Sequence, residues 1–135
     1  MKLTFVDAGV LIAAARGSGN VARRALAILD DPQRSFVSSD FVQLEVLPKA
    51  RFHNQREEAS FYEAFFGSVE AWVQPDPTLT TSALTVAQET GLSALDALHG
   101  AAALACNAAE IITTEKASRP IHRLKNIKVR TIHEP

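Results

Sequence analysis

Four acidic residues, Asp7, Glu45, Asp96 and Glu115, are spread over most of a chain of 135 residues. Each stands where an apolar, strand-like run ends or on a helix-like segment. Carboxylates so far apart in sequence can converge at the C-terminal edge of a parallel sheet, where open α/β folds place their ligands. Brought together, they would hold a hard cation such as Mg²⁺ through oxygen ligands. Taken singly, each has an ordinary reading: a loop acid for Asp7, a helix-surface acid for Glu45, a helix-start acid for Asp96 and a solvated strand end for Glu115. The four are informative only as a set.

The elements that must position them can be read from the apolar pattern. Leu3 to Val6 is a short strand that stops at Asp7, and Val10 to Ala15 then continues apolar as a short helix until Arg16-Gly17-Ser18-Gly19. Asn20 is placed to cap a helix running to about Leu29, with Val21, Ala25, Ile28 and Leu29 inward and Arg23, Arg24 and Asp31 outside. Ser35 to Ser38 is a second strand. Ser39 or Asp40 then caps a helix that carries Phe41, Leu44, Glu45, Val46 and Leu47 and is kinked or interrupted by Pro48. Gln55 to Val69 gives a helix with an aromatic stripe, Phe61, Tyr62, Phe65 and Phe66, read with Trp72 as core; Ala71 to Val73 follows as a third strand.

After Pro75-Asp76-Pro77, Thr78 to Thr90 reads as a helix closed by Gly91. The next helix starts at Ser93, whose spacing to Asp96 is that of a capping box, and its apolar face is expected to be Leu95, Leu98, Ala102 and Leu104 to Ala105. Glu110 to Thr114 is a strand ending near Glu115, and the alternating Ile127 to Ile132 is a half-exposed edge strand. Strands separated by helices imply parallel neighbours, because parallel pairing needs long crossovers. The fold class expected is therefore α/β.

Composition narrows the function classes. Fourteen Lys and Arg against fifteen Asp and Glu leave a formal charge of −1, which lacks the basic footprint of a general nucleic-acid binder, so any nucleic-acid contact must be local. The single cysteine, Cys106, excludes an internal disulfide and a cysteine-ligated zinc site. With an acid at position 7 and no apolar run of bilayer length, neither a signal peptide nor a membrane span is expected, and the cytoplasm is the expected location. Gly17-Ser18-Gly19-Asn20 supplies no dinucleotide-binding fingerprint, and Gly9 stands where a haloacid-dehalogenase-like phosphatase would need a second aspartate.

Four blocks carry a resemblance: Phe5-Val6-Asp7-Ala8-Gly9-Val10-Leu11-Ile12, Ser38-Ser39-Asp40-Phe41-Val42-Gln43-Leu44-Glu45-Val46, Gly91-Leu92-Ser93-Ala94-Leu95-Asp96-Ala97-Leu98-His99 and Ile112-Thr113-Thr114-Glu115. In order and spacing they resemble the acidic motifs of PIN-domain ribonucleases, and among these the short VapC toxins of toxin–antitoxin pairs. The resemblance implies one domain over residues 1–135, with a three-layer α/β/α fold around a parallel sheet of four to five short strands. It further implies that Asp7, Glu45, Asp96 and Glu115 bind Mg²⁺ or Mn²⁺ and serve as the catalytic residues of an endoribonuclease. A homodimer and an antitoxin partner are implied as well. Two places depart from the family pattern. Ala8 and Gly9 stand where a small hydroxyl residue and then a polar residue usually follow the first aspartate, and Glu115 stands where aspartate is usual. These departures leave open an alternative, a weak or inactive PIN-like module that binds RNA or protein.

Thr113 and Thr114 are candidates to hydrogen-bond a carboxylate or phosphate. Lys116, with Lys49, Arg119, His122, Arg123 and Lys125, is a candidate for contact with an RNA backbone. His99 lies three residues beyond Asp96, but His53, His122 and His133 lack paired ligand spacing, so His99 is read as structural rather than as a zinc ligand.

Overall fold

Five short strands alternate with six helices in the computed structural model, which describes residues 1–134. The strands β1 (Lys2–Val6), β2 (Arg34–Ser39), β3 (Ala71–Val73), β4 (Glu110–Thr113) and β5 (Lys128–Thr131) form one sheet in the order β3-β2-β1-β4-β5. All four pairings are parallel. Phe5, Val6, Val37, Ile111 and Ile112 are fully or almost fully buried, as expected for strands covered by helices on both faces. At the edge, β5 alternates exposed Lys128 and Arg130 with half-buried Val129 and Thr131.

Helices α1 (Ala8–Arg16), α2 (Asn20–Leu29), α3 (Asp40–Phe52) and α4 (Arg56–Ser68) pack against one another. Helices α5 (Pro77–Thr90) and α6 (Ala94–Ala105) form a second close pair, with α6 also touching α3. The division follows from topology. The crossovers from β1 to β2 and β2 to β3 step one way across the sheet, whereas the crossover from β3 to β4 steps back, and right-handed connections then place its helices on the opposite face. The fold is thus the expected three-layer α/β/α sandwich, with five strands.

Local chemistry sets the helix ends. Ser39 rather than Asp40 caps α3, its side chain accepting from the Val42 amide at 3.3 Å. Asp76 caps α5 by accepting from Leu79 N at 2.7 Å, with Pro77 opening the helix, and Gly91 closes it in the left-handed region at φ 71°. Ser93 accepts from Asp96 N at 3.4 Å at the start of α6.

Several sequence expectations need correction. Asn20 is the first residue of α2 and not its cap; its side chain instead accepts from Arg23. Pro48 does not interrupt α3, which runs on to Phe52. Pro48 is itself exposed, so the carbonyl it leaves without an intrahelical donor can be hydrated on that side of the helix. Leu44 is 66 % exposed because the buried side of α3 is the row Val42, Val46 and Ala50, with Leu47 beside it. On α6 the buried residues are Ala97 and the run His99 to Ala103, while Leu95 is exposed. Small side chains let this helix approach both the sheet and α5, a geometry that a bulk-weighted reading of its leucines misses. Arg24 does not point outward but donates to the Ile132 and His133 carbonyls at 2.7 and 2.9 Å, fastening the C-terminal segment to α2.

The first residues of three strands form an ion-pair cluster at the N-terminal edge of the sheet. Arg34 donates to Glu110 at 2.6 Å and to Thr4 Oγ1 at 2.9 Å, and its Nε reaches Asp31 at 3.2 Å. The Arg34 and Glu110 side chains are only 6 % and 1 % exposed. Burial pushes the Glu110 carboxyl upward, but the hydrogen bond and charge of Arg34, with Lys2 and Arg130, leave it below its ordinary range.

Candidate functional site

The order of strands reverses between β1 and β4, and at such a switch point the loops leaving the two strands diverge and open a crevice. Asp7 directly follows β1, and Thr114 and Glu115 directly follow β4. The Asp7 amide donates to the Ile112 carbonyl at 3.1 Å, so the two strand ends are tied together where the acids begin.

Asp7 is also the N-cap of α1. Its Oδ1 accepts from Val10 N at 3.2 Å, and its Oδ2 accepts from the Thr113 hydroxyl. Thr113 is fully buried and also accepts from the Glu115 amide at 3.0 Å, so one side chain fixes both the first and the last acid of the set. Burial raises the Asp7 carboxyl to about 6, against the opposing hydrogen bonds from Thr113 and Val10; His99 draws it down and the Glu115 charge pushes it up.

Asp96 lies in the first turn of α6 on the opposite face of the sheet from α1. Burial raises its carboxyl, His99 and Arg119 oppose that shift, and the charges of Glu115 and Glu45 add to it. Glu45, on α3, meets His99 Nε2 through its Oε1. Glu115 is the most open member, 53 % exposed and 3.5 Å from the Arg119 guanidinium. Glu115 thus acts electrostatically on both Asp7 and Asp96, and Glu45 on Asp96, although the four come from the ends of β1 and β4 and from α3 and α6.

His99 joins this group. It is 4 % exposed, packs its ring 5.7 Å from that of Phe5, and ties α6 to α3 through Glu45. The spacing of Asp96 and His99 on one helix was the available signal. What the sequence did not carry was the partner, because Glu45 lies 54 residues away. Of the candidate basic residues, Lys116 is exposed beside Glu115, Arg119 pairs with Glu115, His122 Nε2 lies 3.1 Å from the Glu115 carbonyl, and Arg123 donates to the Thr90 carbonyl at 3.3 Å. The aromatic residues form a chain of edge contacts from Phe36 through Phe65 and Phe66 to Trp72, with Tyr62 fully buried beside it.

The PIN-domain sequence profile matches residues 4–123, a span that contains all four acids. The chain belongs to the PIN-domain family. Among curated proteins none matches the sequence. Solved structures with the same fold include VapBC2 from Rickettsia felis bound to a DNA fragment from its promoter, at 15 % identity and a TM-score of 0.72, covering 96 % of this chain and 98 % of that one. A toxin–antitoxin complex from Klebsiella pneumoniae gives 20 % identity and 0.70, with 98 % and 99 % covered. DNA-bound VapBC from Salmonella typhimurium gives 15 % and 0.69, also with 98 % and 99 % covered. Among the described residues of this PIN domain, no helix is long and apolar enough to cross a membrane.

Proposed function

We propose that this PIN domain is a metal-dependent endoribonuclease that hydrolyses RNA phosphodiester bonds, with Asp7, Glu45, Asp96 and Glu115 sharing Mg²⁺ or Mn²⁺. The observation that carries the reading is the set of four carboxylates about the switch point, where burial and the Glu115 charge raise Asp7, and burial with the Glu115 and Glu45 charges raises Asp96. Acids held within electrostatic reach of one another are what a bound cation relieves.

The donor set fits a hydrated hard cation. Its ligands are all oxygen, and among the described residues no three His, Cys, Asp or Glu side chains are close enough to hold an ion by themselves. Mg²⁺ binds through one or two carboxylates and keeps several waters, so an open array suits it better than a closed cage would. The bound cation would polarise the scissile phosphate and lower the pKa of a coordinated water.

The chain's own residues do the positioning. Thr113 and Val10 fix the rotamer of Asp7, and His99 fixes Glu45. Glu115 has one methylene more than aspartate and stands at the exposed rim, its carboxylate 3.5 Å from Arg119. Lys116 and Arg119 stand at that rim, where they can neutralise phosphates of the RNA backbone.

The likeness to VapBC and other toxin–antitoxin complexes supports a finer reading: a cytoplasmic toxin, homodimeric, held inactive by a small antitoxin that covers the site. The exposure of Glu115 and its pairing with Arg119 favour, as a second reading, a weak or inactive module that binds RNA or protein. Cleavage of assorted structured RNAs in Mg²⁺ or Mn²⁺ separates the two. Wild type should cut and Asp96→Asn should lose at least about a hundredfold in rate, the size of effect expected when a positioned charge is removed from a catalytic centre. Equal residual activity in both proteins would remove the nuclease assignment.

A further inference from the structure

Gly9 lies in the first turn of α1, and its backbone is not in the left-handed region that would call for glycine. Space explains it instead. A Cβ built at position 9 would fall 2.2 Å from Thr114 Oγ1 and 3.4 Å from Thr114 Cβ, while lying 3.3 Å from Asp7 Oδ1. The first distance is far inside contact, and the clashing atom belongs to a short β-branched side chain with little freedom to swing away. The volume beside Asp7 that a side chain at position 9 would fill is thus already taken by the Thr114 hydroxyl.

The two neighbouring threonines divide the work. Thr113 spends its hydroxyl on Asp7 Oδ2 and the Glu115 amide. The Thr114 hydroxyl has no hydrogen-bond partner among the described residues; Thr114 is half-buried, and its hydroxyl occupies the point beside Gly9 that lies 3.3 Å from Asp7 Oδ1. It is a donor and acceptor placed beside a carboxylate and left uncommitted.

We propose that Thr114 is a positioning residue of the cation site, its hydroxyl taking the place of a polar side chain at position 9 and hydrogen-bonding a water in the hydration shell of the ion held by Asp7. The inference rests on the metal-dependent ribonuclease reading and adds a residue to it. It also removes one objection to activity: the polar group missing after Asp7 is supplied from the end of β4.

The test is a set of swaps read by Mn²⁺ titration calorimetry and by the RNA cleavage rate. Thr114→Val keeps the shape without the hydroxyl and should weaken Mn²⁺ binding about tenfold, the lower end for loss of a group that orients metal ligands. Thr114→Ser should restore affinity and rate to within about threefold of wild type, well inside that range. Gly9→Ser alone should be impaired by the clash, whereas Gly9→Ser/Thr114→Ala, which moves the hydroxyl across, should recover affinity relative to Thr114→Ala. Circular dichroism confirms that each variant is folded before its affinity is compared. If wild type binds Mn²⁺ and cleaves RNA while Thr114→Val matches it in both, Thr114 has no such role and the nuclease reading stands. If wild type neither binds Mn²⁺ nor cleaves, the nuclease reading falls and the role of Thr114 falls with it.

Discussion

Asp7→Asn is expected to abolish metal-dependent RNA cleavage and, in metal-free buffer at pH 7, to make the protein more stable than wild type. Both effects come from one carboxylate. Burial raises Asp7 from 3.8 to about 6, so at neutral pH the folded protein carries a charge that its surroundings disfavour. Each unit of such a shift is worth about 1.4 kcal/mol, and with allowance for partial exposure the burden is about 2 kcal/mol. Asparagine is a good N-cap, can still accept from Val10 N and pair with the Thr113 hydroxyl, and carries no charge.

The pH dependence has a definite sign. The folded state holds the Asp7 proton more tightly than the unfolded chain does, so stability from this group is full below about 3.8 and is lost as the pH rises through about 6. The advantage of Asp7→Asn over wild type should therefore be greatest at pH 7 and vanish as the pH falls toward 3.8. Urea unfolding in EDTA across this range measures it. Adding Mg²⁺ or Mn²⁺ should reverse the order, since an ion that binds only the folded wild type stabilises it by mass action. An Asp7→Asn variant less stable than wild type in EDTA at pH 7 would contradict this account of the site.

Arg34→Met should be the most destabilising single change away from the site, costing about 3–5 kcal/mol, because it leaves a buried glutamate without its main partner. Lys2 Nζ, 3.5 Å from Glu110 and 47 % exposed, offers poor compensation. Domains of this kind have only about 5–15 kcal/mol in total, so the loss should appear as a large drop in the denaturant midpoint. Glu110 has a lowered carboxyl in the wild type, so its contribution is present above its ordinary 4.5 and lost as the pH falls through the lower, folded value. The deficit of Arg34→Met should accordingly narrow in acid. Arg34→Met/Glu110→Leu should recover most of the loss, since an apolar pair avoids the desolvation that the ions must overcome. A double variant as unstable as the single one would show that Arg34 acts through something other than Glu110.

The fold was legible in the sequence where the pattern is local. The runs at Leu3 to Val6, Ser35 to Ser38 and Glu110 to Thr114 are apolar or β-branched and bounded by turn chemistry, and each became a strand of the parallel sheet. Caps at Ser39 and Ser93 and the Gly91 stop were readable because their chemistry lies within one turn of the helix end. What failed was information held in packing. The buried alanine face of α6 cannot be seen by a reading that weights large apolar residues, and the exposure of Leu44 depends on which side of α3 meets the sheet. Burial of Arg34 against Glu110 joins strand starts that are 76 residues apart, and nothing local marks either residue as internal.

The site divides in the same way. Its four candidate acids are legible only as a set, through their order and spacing along the chain, since each alone has an ordinary reading. The Thr113 hydroxyl was legible as a partner for a carboxylate and meets Asp7 across 106 residues of chain, whereas no local signal marks the pairing of His99 with Glu45 across 54. The role of Gly9 is likewise not local, because the space beside it is filled by Thr114 from across the switch point.

That the four carboxylates serve one hydrated cation is tested most directly by diffraction from crystals soaked in Mn²⁺, recorded at the manganese edge. An anomalous peak is predicted within coordination distance of the Asp7 carboxylate, on the side facing Glu45, Asp96 and Glu115, and absent from Asp7→Asn crystals. A fully occupied Mn²⁺ elsewhere on the protein with none at Asp7, or the same peak in both proteins, would contradict it.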